Sequence, residues 1–410
     1  MSEPSRRRVT RRRVLQAGAG LAAGGVLAPN TAGAEPLPIK RQSVYEAIGV
    51  KPLINAVGTV TMFGGSVMPP EVVAAWMEAA KQFVDLSELH DKVGSKIAKL
   101  LSVEAACVTT GAAGALFLGA AASVTRGDKK FASRLPETTG MRNEVLIQKT
   151  HHSCYDHQLT GVGAKLIEVE TAADVAKARS DRTALMFFMN IAVDAGKINR
   201  EQWIKLAREH KVPTLIDAAA DVPPVSRVAE YAKMGFDLIA LSGGKAMRGP
   251  NDTGLLLGRA DLIAAARQNS NPNCGIGRAL KVGKEDMVAL LAAVERFVRL
   301  GDLGEQKEIE QRLSVIEKAI KVVPTVLCER ITPAIANHVP HLQVAWDEKR
   351  VKIAPEKVAR ELADGTPSIR IGRVSGTGDK GILISALTLQ DGEAEIVATR
   401  LAEILKKAAG

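Results

Sequence analysis

The sequence predicts an α/β protein in which a large domain with a mostly parallel sheet carries helices on both faces and a smaller α+β terminal domain follows. Short apolar runs alternate with longer amphipathic stretches along the middle of the chain, an order typical of parallel sheets covered by helices. After about residue 284 two long amphipathic helices precede short strand-like runs. The length of 410 residues suits a large domain plus a smaller one.

These patterns divide the chain into four predicted segments. Residues 1–34 form an export signal and residues 35–60 join the small domain. Residues 61–290 form the large domain, and residues 291–410 form the small C-terminal α+β domain.

The individual elements follow from hydrophobic periodicity. Predicted strands of the large domain are Ala106–Thr109, Glu144–Gln148, Lys165–Val169, Thr183–Met189, Thr214–Asp217 and Leu238–Ser242. Predicted helices there are Pro70–Phe83, Gly94–Leu101, Gly114–Ala122, Arg200–His210 and Ala229–Met234. The terminal domain is predicted to hold helices Lys284–Leu300, Glu305–Val322 and Asp391–Lys407, and strands Thr325–Cys328, Leu342–Trp346, Ser368–Ile371 and Gly381–Ser385. Ligand groups are expected at the carboxyl ends of the parallel strands.

Charge and cysteine content narrow the class of protein. The formal net charge is +10, of which the first 34 residues carry +5, and the remainder has no dense basic block. We therefore expect no nucleic-acid partner. The four cysteines show no CxxC spacing, so zinc is not indicated, and spacing cannot pair them in a disulfide.

A lysine at the end of an apolar strand is the first candidate for chemistry. Lys245 follows Leu238–Ser242 and two glycines that allow a ligand to approach the backbone. Burial lowers the pKa of an ammonium group, and a neutral amine is what Schiff-base formation requires. Ser242 is a candidate phosphate ligand. The alternative is a surface lysine in a glycine turn.

A carboxylate lies at the end of the preceding strand. Five mostly apolar residues lead into Asp217, and a buried carboxylate needs a cationic partner. A protonated pyridine nitrogen is such a partner, and its proton makes the ring an electron sink. The alternative is a cap of the next helix.

Two further segments complete the predicted site. Thr110, Gly111 and Ala112 open a small-residue helix whose backbone N–H groups suit a phosphate. His151 or His152, after another strand, is predicted to stack on a planar cofactor ring; a metal site is the weaker alternative because no partner ligand has diagnostic spacing. The order of phosphate loop, stacking residue, aspartate and lysine indicates pyridoxal 5'-phosphate (PLP).

The same segments resemble fold-type I PLP enzymes, and within them the group containing selenocysteine synthase (seryl-tRNA selenium transferase) and D-glucosaminate-6-phosphate ammonia-lyase. The segments that carry the resemblance are LINAVGTVTMFGGS (53–66), LSVEAACVTTGAAGAL (101–116), HHSCYDH (151–157), LIDAAADVPP (215–224), SGGKAMRGPNDTGLLLGR (242–259), GIGRALKVGKED (275–286), GTPSIRIG (365–372) and LTLQDGEAE (387–395). The resemblance implies a PLP aldimine on Lys245, a carboxylate partner in Asp217, and a homodimer or higher homo-oligomer with active sites at subunit interfaces.

The ammonia-lyase branch is the nearer of the two, because the chain has no room for a tRNA-binding domain before the catalytic pattern. We expect a lyase, of β-elimination or ammonia-lyase type, that acts on a small amino acid or amino-sugar acid through a Cα carbanion with Lys245 as base. A racemase or aminotransferase on the same scaffold stays open, as does a catalytically silent binding protein. A cysteine desulfurase is disfavoured because neither Cys274 nor Cys328 has a supporting motif.

Substrate contacts are predicted from arginines and from the N-terminal segment. Arg370, in a strand of the terminal domain, is the first candidate for a bidentate carboxylate ligand. Arg278 is the second, and Asn55 and Thr59 are expected near the substrate mouth.

The first residues resemble a twin-arginine export signal. Residues 10–16 read TRRRVLQ, an apolar stretch runs from Ala17 to Leu27, and Ala32–Ala34 offers a cleavage site. The apolar stretch is shorter than the roughly 20 residues that a membrane span needs, so no stable anchor is expected. A periplasmic or exported location is expected, with the cofactor inserted in the cytoplasm because this route carries folded proteins.

Overall fold

The computed structural model describes residues 43–373 and 381–410. The chain divides into two compact units, residues 1–51 and residues 52–410. The described part of the first unit holds one short 3-10 helix, Glu46–Ile48. The predicted export signal lies outside the described residues. Within the described ranges, no helix is both long enough and apolar enough to cross a bilayer.

Twelve strands form in the described part of the second unit. In chain order they are β1 (Leu53–Ala56), β2 (Ala105–Thr110), β3 (Glu144–Gln148), β4 (Lys165–Val169), β5 (Thr183–Met189), β6 (Thr214–Asp217), β7 (Leu238–Ser242), β8 (Thr253–Gly258), β9 (Leu327–Ile331), β10 (His341–Ala345), β11 (Ser368–Arg373) and β12 (Ile382–Ser385).

Thirteen α-helices accompany these strands in the described residues. They are α1 (Pro70–Ala79), α2 (Leu86–Leu101), α3 (Gly111–Thr125), α4 (Lys129–Ala132), α5 (Asp156–Thr160), α6 (Ala172–Ala178), α7 (Arg200–His210), α8 (Arg227–Met234), α9 (Ala260–Asn269), α10 (Lys284–Leu300), α11 (Gln306–Ile320), α12 (Pro355–Ala363) and α13 (Glu393–Ala409).

The larger sheet has seven strands in the order β2-β8-β7-β6-β5-β3-β4. All neighbours pair in parallel except β8, which runs antiparallel to β2 and β7. A separate hydrophobic core covers each face of this sheet. On one face Leu215 packs with residues of α3 and α9, and on the other face Ile216 packs with residues of α2, α7 and α10. Because both faces are covered, the central strands are apolar without alternation. The predicted α/β class is confirmed.

The smaller sheet has five strands in the order β1-β11-β12-β10-β9. Strand β1 pairs in parallel with β11, so the chain before residue 60 contributes to the sheet of the C-terminal strands. One face of this sheet packs against α11 and α13 through a third core that includes Ile54, Ile369 and Leu401. Side chains alternate between the two faces along a strand, so Arg370, next to the core residue Ile369, lies on the face away from α11 and α13.

Most predicted elements of the larger sheet have the observed bounds, and three differences have physical causes. Helix α1 ends at Ala79 rather than at Phe83, whose wholly exposed side chain contributes nothing to packing. Helix α2 begins before Gly94, because the Asp85 carboxylate accepts a hydrogen bond from the Glu88 N–H and caps a longer helix. Strand β8 was not predicted, because a three-leucine run has no period that distinguishes strand from helix.

Candidate active site

Three predicted ligand segments meet at one edge of the larger sheet. Strands β2, β6 and β7 run in parallel and end at Thr110, Asp217 and Ser242. Asp217 lies opposite Ala240 in the sheet register, and Ser242 lies opposite Gly254. Parallel strands bring their carboxyl ends together, so residues far apart in sequence share one crevice.

Lys245 is held in a tight loop directly after β7. The Gly243 N–H donates to the Thr253 carbonyl oxygen at 2.9 Å, which joins the loop to β8. A Cβ at Gly244 would come within 2.4 Å of the Asn251 Cα, so only glycine fits there. The Ser66 hydroxyl donates to the Gly244 carbonyl oxygen at 2.9 Å. These contacts fix the backbone from which Lys245 projects.

The charges of Lys245 and Asp217 influence each other. Burial lowers the pKa of the Lys245 amine, and the carboxylates of Asp217 and Asp221 oppose that shift. Burial raises the pKa of Asp217 to about 6, and the positive charge of Lys245 acts in the opposite direction. The lysine is thus moved toward the neutral form that attack on a carbonyl carbon requires.

Asp217 has unused capacity to bind a cation. Its Oδ1 atom accepts a hydrogen bond from the Ala219 N–H at 3.0 Å, and only 7% of the residue is exposed. Among the described residues no basic side chain lies within ion-pair distance of this carboxylate. A buried carboxylate of this kind fits a protonated ring nitrogen of a bound cofactor.

The start of helix α3 has the features of a phosphate cradle. The Thr110 Oγ1 atom is buried and has no hydrogen-bond partner in the described part of the chain. Gly111 opens the helix with a φ of +62°, and a Cβ built on it would meet nothing within 4 Å. The helix N-terminus leaves N–H groups of Gly111, Ala112 and the following residues free for an anion. The residues present therefore fit the phosphate of PLP.

Gly254 keeps this cradle narrow. A Cβ on Gly254 would lie 2.2 Å from the carbonyl carbon of Gly111 and 2.7 Å from the Ala112 nitrogen. Strand β8 thus passes directly behind the first turn of α3, and the Thr109 hydroxyl donates to the Gly111 carbonyl oxygen at 2.8 Å. Both contacts fix the backbone of Gly111 and Ala112 at the start of α3, and the sequence alone did not predict either contact.

His151 is enclosed rather than open to a cofactor. It ends a 3-10 helix, Lys149–His151, and its side chain has 0% exposure. Its ring centroid lies 4.6 Å from that of Phe188 at an angle of 89°, and Nδ1 accepts a hydrogen bond from the Met189 N–H at 3.2 Å. Burial lowers its pKa to about 4. The predicted stacking of His151 on the cofactor ring stays a prediction, and the full burial of its side chain does not support it.

His152 is turned toward the far edge of the sheet. Its Nδ1 atom lies 2.6 Å from Oδ2 of Asp156, and its Nε2 atom lies 3.4 Å from Oε1 of Glu168. Glu168 belongs to β4, an edge strand that β3 and β5 separate from the strand of Asp217. A stacking role for His152 stays a prediction that these contacts do not support.

Sequence reasoning missed two polar residues beside Asp217. Burial raises the pKa of Tyr155, and the charges of Cys154 and Asp217 add to that shift. Asp221 is 3% exposed and accepts a hydrogen bond from the Tyr231 hydroxyl at 2.9 Å and another from the Asn190 amide at 2.5 Å. Tyr155 belongs to the segment HHSCYDH and Asp221 to LIDAAADVPP. Their closeness in sequence to the predicted ligands His151 and Asp217 could have identified them as site residues.

The N-terminal candidates mainly support the chain itself. The Asn55 amide donates to the Gly58 carbonyl oxygen at 2.9 Å, and its Oδ1 accepts from the Val57 N–H at 3.0 Å. The Thr59 hydroxyl donates to Oδ1 of Asn337 at 3.2 Å and is 6% exposed. Asn55 therefore stabilises a turn, and a substrate contact for Asn55 or Thr59 stays a prediction.

The predicted arginines lie in different settings. Arg370 is exposed on β11, beside Asn55 in the sheet register. Arg278 is also exposed, and its Nη1 donates to Oδ1 of Asn271 at 2.8 Å. Nearby in the sequence, Lys284 donates to the Ala79 carbonyl oxygen at 2.7 Å.

The cysteines and histidines do not form a metal site in the described ranges, where no group of three or more His, Cys, Asp and Glu residues is placed to hold an ion. All four cysteines are free thiols. Burial raises the pKa of Cys107 to about 12 and that of Cys328 to about 11, which disfavours the reactive thiolate.

A lysine and an aspartate at adjacent strand ends, with a small-residue helix start beside them, define a fold-type I PLP-dependent enzyme, and its cofactor is PLP. Residues 124–274, which include Asp217 and Lys245, match the family model for aminotransferase class V. The serine palmitoyltransferase of S. paucimobilis, solved with bound PLP, shares the fold at a TM-score of 0.53 and 13% identity, over 87% of this chain and 88% of that one.

Individual relatives match between 79% and 90% of the chain. D-glucosaminate-6-phosphate ammonia lyase of Salmonella typhimurium is 26% identical over 90% of this chain and 99% of its own length. A solved D-glucosaminate-6-phosphate ammonia-lyase superposes with a TM-score of 0.77 at 25% identity, over 90% of this chain and 100% of that one. The 5'-C-glycyluridine monooxygenase-decarboxylase of a Streptomyces species is 29% identical over 79% of this chain and 83% of its own length. An L-seryl-tRNA(Sec) selenium transferase of Caldanaerobacter subterraneus is 23% identical over 83% of this chain and 82% of its own length.

The unpartnered hydroxyl of Thr110 generates a prediction with two opposite effects. Thr110→Val removes a buried hydroxyl that no described residue bonds, so the apoprotein should keep its stability or gain up to about 1 kcal/mol. The same change should weaken PLP binding about tenfold, or roughly 1.4 kcal/mol, because the hydroxyl is lost as a phosphate ligand. Denaturant unfolding and titration of the apoprotein with PLP measure the two effects.

Thr109→Val is the matched control. Its hydroxyl is bonded to Gly111, so the substitution should lower apoprotein stability by about 1 kcal/mol. An unchanged PLP affinity in Thr110→Val would show that the Thr110 hydroxyl does not bind the cofactor phosphate.

The raised pKa of Asp217 predicts a pH-dependent stability of the apoprotein. With a native pKa of about 6, the folded chain keeps a proton that the unfolded chain releases near pH 4. Stability is therefore lost as the pH rises between these values. Asp217→Asn should raise the free energy of unfolding by about 2–3 kcal/mol at pH 7 and by little at pH 4, while it weakens PLP binding.

Urea unfolding at several pH values measures this difference. Asp261→Asn is the control. Arg259 lowers the pKa of that exposed carboxyl, so this substitution should change the free energy of unfolding at pH 7 in the direction opposite to Asp217→Asn. A constant difference between wild type and Asp217→Asn across the pH range would contradict the assignment of the shift to Asp217.

Proposed function

We propose that the chain is a PLP-dependent lyase, of β-elimination or ammonia-lyase type, that acts on a small amino acid or amino-sugar acid. The observation that carries the proposal is the likeness to D-glucosaminate-6-phosphate ammonia lyase along 90% of the chain, with Lys245 and Asp217 at adjacent strand ends. An amino-sugar acid and an amino acid share the amine and carboxylate that such a site engages.

The residues of this chain have separate tasks in that reaction. When bound, PLP withdraws electrons from the α-carbon of the substrate. Lys245 holds the cofactor and then takes the α-proton with its amine, whose pKa burial lowers. Asp217 holds a proton on the ring nitrogen, and Thr110, Gly111 and Ala112 bind the phosphate.

Arg370 is proposed to bind the substrate carboxylate. It is exposed on the face of β11 opposite the core residue Ile369. No carboxylate of the described residues pairs with it, so its planar guanidinium is available for a bidentate contact. Arg278 is second, because Asn271 already engages one of its nitrogens.

Decarboxylation is the second candidate reaction. It is favoured by the 29% identity to a 5'-C-glycyluridine monooxygenase-decarboxylase over 79% of the chain. Racemisation and transamination share the removal of the α-proton, so assays for chirality and keto acid belong to the same screen.

A homodimer or higher homo-oligomer is proposed for the active form. Six large apolar side chains are exposed within a short segment of the second unit: Met62, Val67, Trp76, Met77, Phe83 and Val84. Exposed apolar residues concentrated in one segment are a feature of subunit interfaces. Light scattering of the purified protein measures the assembly.

Export is proposed from residues 10–16 and the small residues Ala32–Ala34. A cofactor that is captured in the cytoplasm needs a route that carries folded protein, and a twin-arginine signal provides one.

The cofactor assignment is tested at Lys245. Purified protein beginning at Glu35 should show a near-visible band that borohydride abolishes, and peptide mass analysis should locate the reduced adduct on Lys245. Lys245→Ala should fold and give no adduct, whereas Lys284→Ala should give the wild-type adduct. Amino acids and amino-sugar acids are then screened for released ammonia, keto acid, carbon dioxide and racemisation.

Ammonia release from an amino acid or amino-sugar acid supports the lyase. A folded protein that takes up no PLP and forms no adduct would instead be a binding protein on this scaffold.

The export proposal is tested by fractionation of cells that express the full chain. We expect a periplasmic form that begins at Glu35, and Arg11→Lys combined with Arg12→Lys should retain the protein in the cytoplasm. The control is Arg6→Lys combined with Arg7→Lys, which leaves residues 10–16 intact. A periplasmic form that survives loss of the host's twin-arginine translocase would contradict this route.

A further inference from the structure

Residues 243–249, here called the lysine loop, carry Lys245 and contact the cores of both sheets. Ala246, which follows the lysine, is 3% exposed and packs in the core of the smaller sheet. Met247, the next residue, is fully buried in a core of the larger sheet. The position of Lys245 therefore depends on both cores.

Arg248 has an unusual backbone conformation in this loop. Its φ is +60°, a left-handed conformation that is unfavourable for a residue with a Cβ. Its N–H donates to the Lys245 carbonyl oxygen at 2.9 Å, so this strained turn begins at the lysine. A strained residue persists where surrounding contacts hold it, and such positions concentrate at functional sites.

Two polar contacts of the Arg248 side chain hold it in place. Its Nε atom donates to the Val67 carbonyl oxygen at 3.0 Å, in the segment before α1. Its Nη1 atom donates to Oε1 of Glu305 at 3.3 Å, immediately before α11. The side chains of Arg248 and Glu305 are 17% and 21% exposed, so solvent screens this pair less than an exposed one. One planar guanidinium thus joins the lysine loop to two segments that are distant in sequence.

Glu305 belongs to a larger ion-pair network. Its Oε1 atom also pairs with Nη1 of Arg296 at 2.7 Å, and the Arg296 side chain is 14% exposed. The Nε atom of Arg296 lies 3.3 Å from Oε1 of Glu71, and Arg299 pairs with the same carboxylate at 2.7 Å. Charges that form a network contribute more than isolated surface pairs do. The network holds Glu305 in place as the partner of Arg248.

Residues 301–305, which connect α10 to α11, contact the loops of both predicted cofactor ligands. Glu305 meets the lysine loop through Arg248. The Oδ1 atom of Asp302 accepts a hydrogen bond from the N–H of Val225, in the segment that follows Asp217, at 2.5 Å. The start of α11 is therefore tied to both loops, and α11 packs in the core of the smaller sheet.

We propose that Arg248 is a positioning residue for Lys245, which it holds by joining the lysine loop to Glu305 and to the Val67 carbonyl oxygen. The inference rests on the proposed role of Lys245 as the residue that holds PLP and takes the α-proton. A displacement of about 1 Å is enough to lower the effect of a reacting group severely, so the loop that carries the amine needs a fixed position. Arg248 acts through this loop and not by contact with the substrate.

Arg248→Met tests the proposal in the PLP-loaded protein, because methionine keeps an unbranched stem but makes neither polar contact. PLP should be released about tenfold faster, measured as the PLP recovered by ultrafiltration after dilution. The circular dichroism of the near-visible band should also weaken, because its intensity depends on a fixed orientation of the cofactor. Arg248→Lys keeps a cation for Glu305 and should restore part of both properties.

Two further variants separate positioning from loss of stability. Arg296→Met removes a similarly buried partner of Glu305 that lies on α10, so urea unfolding should show a lower stability, whereas PLP release should stay within about twofold of wild type. Arg248→Gly relieves the left-handed backbone but removes the side chain. It should be at least as stable as Arg248→Met and should still release PLP faster than wild type.

The outcomes distinguish this inference from the proposed function. A wild-type rate of PLP release in Arg248→Met, or the same increase in Arg296→Met, would overturn the role of Arg248 while the borohydride adduct on Lys245 still forms. Should Arg248→Met not fold, the release rates of Arg248→Gly and Arg248→Lys decide in the same way. A wild-type protein that forms no adduct on Lys245 would overturn the proposed function, and this inference with it.

Discussion

The burial of Asp217 beside Lys245 is the constraint on which the site depends. Burial alone raises the pKa of the carboxyl and lowers that of the amine, and each charge partly offsets the shift of the other. The parallel register of β6 and β7 enforces this proximity. The apoprotein therefore carries an electrostatic cost that a protonated ring nitrogen relieves. The Asp217 carboxylate thus increases the affinity for the cofactor and lowers the stability of the apoprotein.

Close backbone contacts shape the remainder of the site. Gly254 touches the first turn of α3, and Gly244 touches Asn251, at distances that no Cβ allows. Strand β8 is inserted antiparallel between β2 and β7, with Gly254 within the strand and Asn251 just before it. The phosphate cradle and the lysine loop are thus braced by the same strand, although they lie more than 130 residues apart in sequence.

Side-chain direction was the weakest part of the sequence analysis. The segment after β3 was predicted correctly to follow the carboxyl end of that strand. The direction of the His151 side chain was not predicted: its ring packs against Phe188, and its Nδ1 accepts a hydrogen bond from the Met189 N–H. Both partners belong to β5, and the sequence around His151 does not specify that this strand lies beside it. Asn55 illustrates the same limit, because its side chain is used in the turn that follows β1.

The sequence by itself determined the fold class, the bounds of most strands of the larger sheet, and the order in which Thr110, Asp217 and Lys245 occur at strand ends. These features are local, since an apolar run followed by glycine or a polar residue marks a strand end wherever the strand is placed. The tertiary structure decided the position of β8 and the enclosure of His151. Each of these depends on pairing or packing between distant segments, which no local pattern encodes.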